Sequence, residues 1–401
     1  MSIDVDMLVK ACADNSRAGG VVIETELEPL AGSGVPVKPA IYPGGKYQCD
    51  KRWVGEGQDR AIADVVVIDN IPSQANRLEN ELEKLAPDLG LPIVVLDLSG
   101  ASPLPPHLPK RLTGFRFPHR QADAYLRDAL DKDGEDFTKT EVGKQLLAAT
   151  ADDPNPLFEW FPQALLFGFW QSHLGKKGSQ AKLARSWVSE VVGIRPATTD
   201  TPTLGLKGDP LNLNIQESVS YNEDDATWDL PDETQKKNTS SKDPKSKRLS
   251  EIGHGQVPFG AGQEAPAAVS FEAITQRAAL SFAGLRRVWA GSPEANAAGR
   301  ALVASIGLVA HVAAFGRPFS LRSGCDLRPV QTHWTWLGHN EDSEVEPLTL
   351  ELAADLVRGC AQRAKECGLP VGSEWTSELL LTPKKNLLKV IEATYPAQGD
   401  E

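Results

Sequence analysis

Two short stretches concentrate side chains able to do chemistry: Ser73-Gln74-Ala75-Asn76-Arg77-Leu78 and His119-Arg120-Gln121-Ala122-Asp123-Ala124-Tyr125-Leu126-Arg127-Asp128. Residues three and four apart share a helix face. Read as a helix, the second stretch lines up His119, Asp123 and Arg127, with Ala122, Ala124 and Leu126 free to pack inward. Cationic, amide and imidazole donors without metal-ligand spacing suit an extended anionic ligand. A third group follows at Gly175-Lys176-Lys177-Gly178, between Trp170/His173 and Lys182/Arg185. Aromatics interleaved with bases fit a surface that stacks bases and holds phosphates; a plain basic turn is the alternative. Arg248 and His254, in Lys247-Arg248-Leu249-Ser250-Glu251-Ile252-Gly253-His254-Gly255, read either as a flexible arm for an anionic strand or as a solvated charged loop.

Enzyme signatures are sparse. There is no GxxxxGK[ST] phosphate loop, no HExxH, no paired CxxC and no GxSxG. His119 or His173 could act as a general base for RNA cleavage, with Arg or Lys stabilising the phosphorane. Nothing in the spacing pins two such groups together. Arg322 and Asp326 read as a structural ion pair, His311 as a satisfied core histidine, and His333, Trp334 and Trp336 as strand residues facing a core.

The elements that must position these groups alternate in type. Residues 20–30, 63–69 and 91–98 have strand character, and 73–85 reads as a helix capped by Ser73 with Leu78, Leu82 and Leu85 on one face. Helices are expected at 119–130, 140–150, 271–289, 294–315 and 348–368, with a strand-like stretch at 318–336. From about 198 to 266 regularity fails, and that segment reads as a long excursion, mobile without ligand. The pattern lacks strict β-α alternation. An α+β fold with a mostly antiparallel sheet and a large insertion fits best, divided as 1–197, 198–266 and 267–401.

Bulk properties narrow the class. At 401 residues, with 41% hydrophobic and 24% charged residues, the chain can bury a sizeable core. No run is read as approaching the roughly 20 apolar residues that cross a bilayer. Five scattered cysteines and a start without secretory character lead us to expect a reducing, cytoplasmic setting without a membrane. The net charge of −12 opposes indiscriminate nucleic-acid binding. Charge is uneven, however: residues 221–233 carry six acids and no base, whereas 235–248 carry six bases and one acid.

Taken together, six ordered blocks give the chain a resemblance. They are DNIPSQANR at 69–77, the block at 119–128, ALLFGFWQSH at 164–173, SEIGHGQVP at 250–258, AGLRR at 283–287 and LRSGCDL at 321–327. With these it resembles the CRISPR-associated RAMP proteins of the Csb-one (GSU-type) family, the backbone subunits of the type I-G, formerly I-U, surveillance complex. The resemblance implies a non-catalytic RNA-binding protein of antiviral defence. It implies a modified RRM-like (ferredoxin-like) palm whose insertions form finger-like and thumb regions, with 198–266 a candidate for either. Several copies would stack along one CRISPR RNA, and the target DNA strand would pair with the guide. Further implied partners are the large subunit and a fused repeat-processing and 5′-handle subunit; no cofactor or metal is implied.

On this reading Arg77, Arg120, Arg127, Lys176, Lys177, Lys182, Arg185 and Arg248 contact phosphates. Gln74, Asn76, His119 and His254 donate to phosphate or 2′-OH, while Asp123 orients Arg120 or Arg127. The aromatic-bearing RNP-one signature is missing, so recognition should run through RNA backbone and shape, leaving bases free to pair. The alternative is a RAMP-type endoribonuclease that processes precursor CRISPR RNA.

Overall fold

The first helix, α1 (Val5–Cys12), is capped by Asp4 and leads to β1 (Gly20–Pro29), where Val21, Ile23, Thr25 and Leu27 alternate onto a buried face. These belong to a computed structural model that describes residues 1–43, 46–55, 57–101, 104–105, 107–171, 181–197, 218–222, 227–230, 246–254, 268–371 and 378–395. Strands β2 (Cys49–Val54) and β3 (Ala61–Asp69) pair antiparallel. Asn70 then caps α2 (Ile71–Leu89) by accepting the Ser73 backbone N–H at 3.0 Å. Pro72 sits in the first turn, where a missing N–H leaves no helix bond unmade. Leu78, Leu82 and Ala86 form the buried stripe of α2, and Gly90 ends it at φ +66.

Next come β4 (Ile93–Asp97), β5 (Arg111–Thr113), α3 (Ala124–Arg127), β6 (Ala129–Leu130), α4 (Glu141–Ala148), α5 (Asn155–Trp160) and α6 (Pro162–Phe167). Strands β7 (Phe169–Gln171), β8 (Ala181–Leu183) and β9 (Trp187–Ala197) follow. Within the excursion lie β10 (Ser218–Tyr221), β11 (Trp228–Asp229) and β12 (Ser246–Arg248). The last part holds β13 (Ser270–Ser281), α7 (Phe282–Leu285), α8 (Pro293–Phe315), β14 (Phe319–Arg322), β15 (Cys325–Leu337), β16 (Ser343–Val345), α9 (Leu350–Glu366), β17 (Glu378–Pro383) and α10 (Lys385–Thr394).

The main sheet runs β14-β15-β1-β13-β9-β3-β2, with β16 beside β15, and every pairing is antiparallel. A smaller sheet runs β5-β4-β17-β6, and β7 pairs with β8. The mixed α+β character expected from the sequence is what the chain adopts. Helix α8 packs against α1, α2, α6 and α9. It is buried almost all round, as a helix without a polar face must be. By length and composition α8 is apolar enough to cross a membrane, which corrects the reading that no run approaches this. It is 89% buried inside the fold, however, and it carries the buried Arg300, which donates to Asp14 at 2.6 Å and to three backbone carbonyls.

The chain divides into two units. One comprises Met1–Ala40, Gln48–Ala197 and Ala268–Thr394 and holds both larger sheets and all ten helices named above. The other comprises Ile41–Tyr47, Thr198–Ala267 and Tyr395–Glu401; its described residues include the sheet β11-β10-β12. Most of 198–266 lies outside the described residues, and with it the expectation of mobility there.

Several expectations need correction. The segment 271–289 is mainly the strand β13, not a helix. Its Ala-rich sequence favours a helix locally, but pairing with β1 and β9 on its two sides overrides that preference. The cap of α2 is Asn70; the Ser73 hydroxyl instead donates to Asp69 at 2.9 Å. Arg322 pairs with Asp69 at 2.8 Å rather than with Asp326. His311 is buried between Trp187, Phe315 and Trp334, and its Nδ1 has no partner among the described residues. Burial alone holds it neutral, with its pKa pushed down to about 3.

Candidate nucleic-acid interface

The block at 119–128 is not one helix. A single 3-10 turn (Arg120–Ala122) is followed by Asp123, which caps the short α3. The Asp123 carboxylate accepts the backbone N–H groups of Tyr125 at 3.0 Å and of His119 at 2.9 Å. That bonding breaks the expected register of His119, Asp123 and Arg127, because a capping residue leaves the helical conformation. It also occupies Asp123, which therefore orients backbone rather than Arg120 or Arg127. Arg127 is exposed and held by its neighbour Asp128 at 2.7 Å.

Arg120 turns the other way. Its φ of +55 is unusual for a residue with a Cβ. This conformation delivers its guanidinium to Glu79 of α2 in a two-pronged pair, at 2.7 and 2.8 Å, and to the carbonyl of Gly168 at 3.1 Å. Both partners are largely hidden, with side-chain exposures of 11% and 4%. Burial pushes the Glu79 carboxyl above the usual range, and Arg120 opposes that shift. The guanidinium also lies 5.5 Å from the centre of the Phe167 ring.

Gly168 explains why the block ALLFGFWQSH needs a glycine. It sits at φ +76, and a Cβ there would meet the Leu183 carbonyl oxygen at 2.5 Å. The chain turns at Gly168 into β7, whose register with β8 sets Trp170 opposite Lys182. The Lys182 ammonium lies 5.6 Å from the Trp170 ring centre. Trp170 itself is 59% exposed, which is unusual for so large an apolar surface.

Together these pieces enclose an open hollow of about 440 Å³, bordered by His119, Arg120, Gly168, Trp170, Lys182 and Arg185 among others. Arg185 is exposed, and its guanidinium makes no hydrogen bond or ion pair among the described residues. Partial burial, and then the neighbouring Arg120, pull its pKa below the usual arginine range, with Glu79 acting in the opposite direction. Arg120 and Arg185 thus lie near the buried Glu79 carboxylate, and Lys182 lies over the exposed indole of Trp170. That arrangement can hold phosphate and stack a ring. Among the described residues no group of His, Cys, Asp and Glu could hold a metal ion.

Of the expected contacts, the fold brings His119, Arg120, Lys182 and Arg185 to this hollow. Arg127 is not among its lining residues. Lys176 and Lys177 lie outside the described residues. Gln74 is fully buried: its amide donates to Asp69 at 2.6 Å, and its oxygen accepts from Ser189 at 3.1 Å and Gln276 at 2.7 Å. It is therefore a structural tie and not a surface donor. Arg77 is anchored by Asp69 at 2.9 Å and by the Leu321 carbonyl at 2.8 Å, and Asn76 is exposed on α2. Arg248 and His254 belong to the other unit. There Arg248 is exposed, with its backbone N–H donating to Glu251 at 2.7 Å, and His254 meets Trp228 edge-on at 5.4 Å.

Asp69 is what the sequence reading missed. Fully buried, it accepts from Ser73, Gln74, Arg77 and Arg322. The blocks at 69–77 and 321–327 are therefore two sides of one hydrogen-bonded hub. Glu79 was also left out of the expected site, whereas Trp170 was expected only as a stacking aromatic beside the bases.

The Asp69 hub and the hollow draw heavily on 21–196, and over those residues the chain matches the family model described as CRISPR-associated protein GSU0053. That region belongs to the GSU0053 family of CRISPR-associated proteins. The protein has a CRISPR-associated role. No curated protein matches the chain. The GSU0053 region contains α2, the Arg120–Glu79 pair, Gly168, Trp170, Lys182 and Arg185, so the hollow lies wholly within the residues that define the family match.

Proposed function

We propose that this GSU0053-type protein is a non-catalytic backbone subunit that holds CRISPR RNA, and that the hollow is one of its contacts with the strand. The observation that carries this reading is the convergence of Arg120, Lys182 and Arg185 with an exposed Trp170, assembled from two segments that are separate in sequence. Phosphates would sit on the cations while one base rests against the indole. The opposite face of the main sheet supports recognition through the RNA backbone. Ion pairs cross its strands, Arg277 with Glu24 at 3.0 Å and Arg52 with Glu190. Such a face offers paired charges where an ordinary RRM offers aromatic platforms.

In this reading the antiparallel sheet with its helices is a modified RRM-like palm, and copies line up along one guide in a type I-G complex with target DNA, the large subunit and the repeat-processing subunit. The acidic net charge is compatible with it, because only the strand-facing surface needs to be basic. The test is binding of a labelled single-stranded RNA to the purified protein and to Trp170→Ala and Lys182→Ala. Loss of one stacked base should weaken binding by roughly 1–3 kcal/mol. Loss of Lys182 should flatten the salt dependence by about 0.7 in the log–log slope. Wild-type affinity and slope in both variants would remove the hollow from the binding surface.

A second reading, precursor cleavage, draws on a single observation: His119 is exposed at the rim of the hollow beside cations. It requires that His119→Ala abolish cleavage of a repeat RNA while binding persists.

A further inference from the structure

Helix α2 has a second working flank. Around its axis Glu79 points to the Arg120 side, Asn76 and Asn80 occupy the exposed crest, and Arg77 and Lys84 lie on the other side. There a second open hollow, of about 450 Å³, is bordered by Arg77, Asn80, Lys84, Arg317 and Ser320 among others. Arg77 is fixed in place by Asp69 and the Leu321 carbonyl, yet keeps 26% of its side chain exposed. Lys84 is 65% exposed and pairs with Glu81 at 2.6 Å. Arg317 follows the C-terminal end of α8, where an arginine ordinarily turns back onto the last helix carbonyls. Here its guanidinium makes no hydrogen bond or ion pair among the described residues, and the side chain is exposed.

We propose that this second hollow is a further phosphate-binding site for the same RNA strand, so that one subunit grips the strand on both flanks of α2. The inference rests on the RNA-holding function proposed above. Three cations, one of them locked by a buried carboxylate, face a surface furnished with neutral donors from Asn80 and Ser320. Arg77 is pre-positioned by Asp69, Lys84 can exchange its exposed partner Glu81 for a phosphate, and Arg317 has no partner to give up among the described residues. The crest between the hollows is one helix wide, about 10–12 Å with side chains. At the stacked rise of about 3.4 Å per nucleotide, roughly three nucleotides would bridge it, passing over Asn76 and Asn80.

The experiment measures binding of a fluorescent 20-nucleotide single-stranded RNA, of about the length of a guide, to the full-length protein across a salt series. Three charge-matched or site-matched variants are compared: Lys84→Gln/Arg317→Gln in the second hollow, Lys182→Gln in the first, and Lys385→Gln/Lys389→Gln on α10 as a control for net charge. Losing two phosphate contacts should flatten the log–log slope by about 1.4, which is roughly 25-fold weaker binding at 0.1 M salt if the curves converge at 1 M. The α10 control should match wild type. All substituted side chains are exposed, so denaturation midpoints should be unchanged.

An unchanged slope in the Lys84/Arg317 variant, with loss in the Lys182 variant, would overturn the second site and leave the first standing. An equal loss in the α10 control would reduce the effect to net charge and also overturn it. Absence of RNA binding by the wild type would remove both together.

Discussion

Arg120 and Glu79 offer the sharpest test of how the hollow is built. Both side chains are nearly buried, and the pair is two-pronged with a third bond from Arg120 to the Gly168 carbonyl. Replacing Arg120 by Met keeps most of the packing but leaves Glu79 without its counter-charge. Breaking a buried pair from one side costs about 3–5 kcal/mol. Glu79 already has a raised pKa because of burial, with Arg120 as the main opposing influence. Without Arg120 the upward shift grows. A carboxyl raised in the folded state binds its proton more tightly there than in the unfolded chain. Its ionisation therefore removes stability as pH rises, and protonation restores it as pH falls.

The cost of Arg120→Met should thus be largest near about pH 8 and shrink toward about pH 5, above the ordinary glutamate pKa. The double replacement Arg120→Met/Glu79→Leu should recover most of the loss, since an apolar pair of similar volume often does as well as a buried ion pair. Urea denaturation at several pH values measures this directly. A loss below about 1 kcal/mol, the size of an exposed pair, or one that is flat with pH, would refute the account of this pair.

Other outcomes follow from the same geometry. Asp69→Asn strips the charge that Arg77 and Arg322 share and should cost about 3–5 kcal/mol in denaturation experiments. Gly168→Ala places a Cβ against the Leu183 carbonyl at a positive φ, and should destabilise by roughly 1–3 kcal/mol. Because Gly168 also orients β7, its RNA affinity should fall even where the protein remains folded. Under the non-catalytic reading, purified protein should leave a labelled repeat RNA intact on a gel, with and without divalent metal, and His119→Ala should change nothing in that assay.

Much of this was legible locally. The stripe Leu78, Leu82, Leu85 predicts α2, although Ala86 rather than Leu85 completes its buried face, and the strand character of 20–30 predicts β1, where Val21, Ile23 and Leu27 alternate inward. The aromatic and basic residues around 170–185 pointed to the hollow through their chemistry alone. What failed was non-local. The sequence of β13, with Ala273, Ala278 and Ala279, favours a helix until strands bind it on both sides. Arg120 reads as a free cation because its partner Glu79 stands 41 residues away. Likewise Gln74 reads as a surface donor, although Asp69, Ser189 and Gln276 surround it only in the fold. Asp123 misled for a different reason: the same side chain suits a helix face and a helix cap, and only the backbone N–H groups around it decide which.

The central claim is that this protein holds CRISPR RNA. Its most direct test is to purify the full-length protein after expression with and without a CRISPR array, and to measure bound nucleic acid by absorbance ratio, mass and sequencing. The account predicts RNA of discrete length carrying guide sequence, with an assembly mass that rises with guide length, only when the array is present. Protein that emerges free of RNA under both conditions, or whose mass is indifferent to the array and to nuclease, would contradict it.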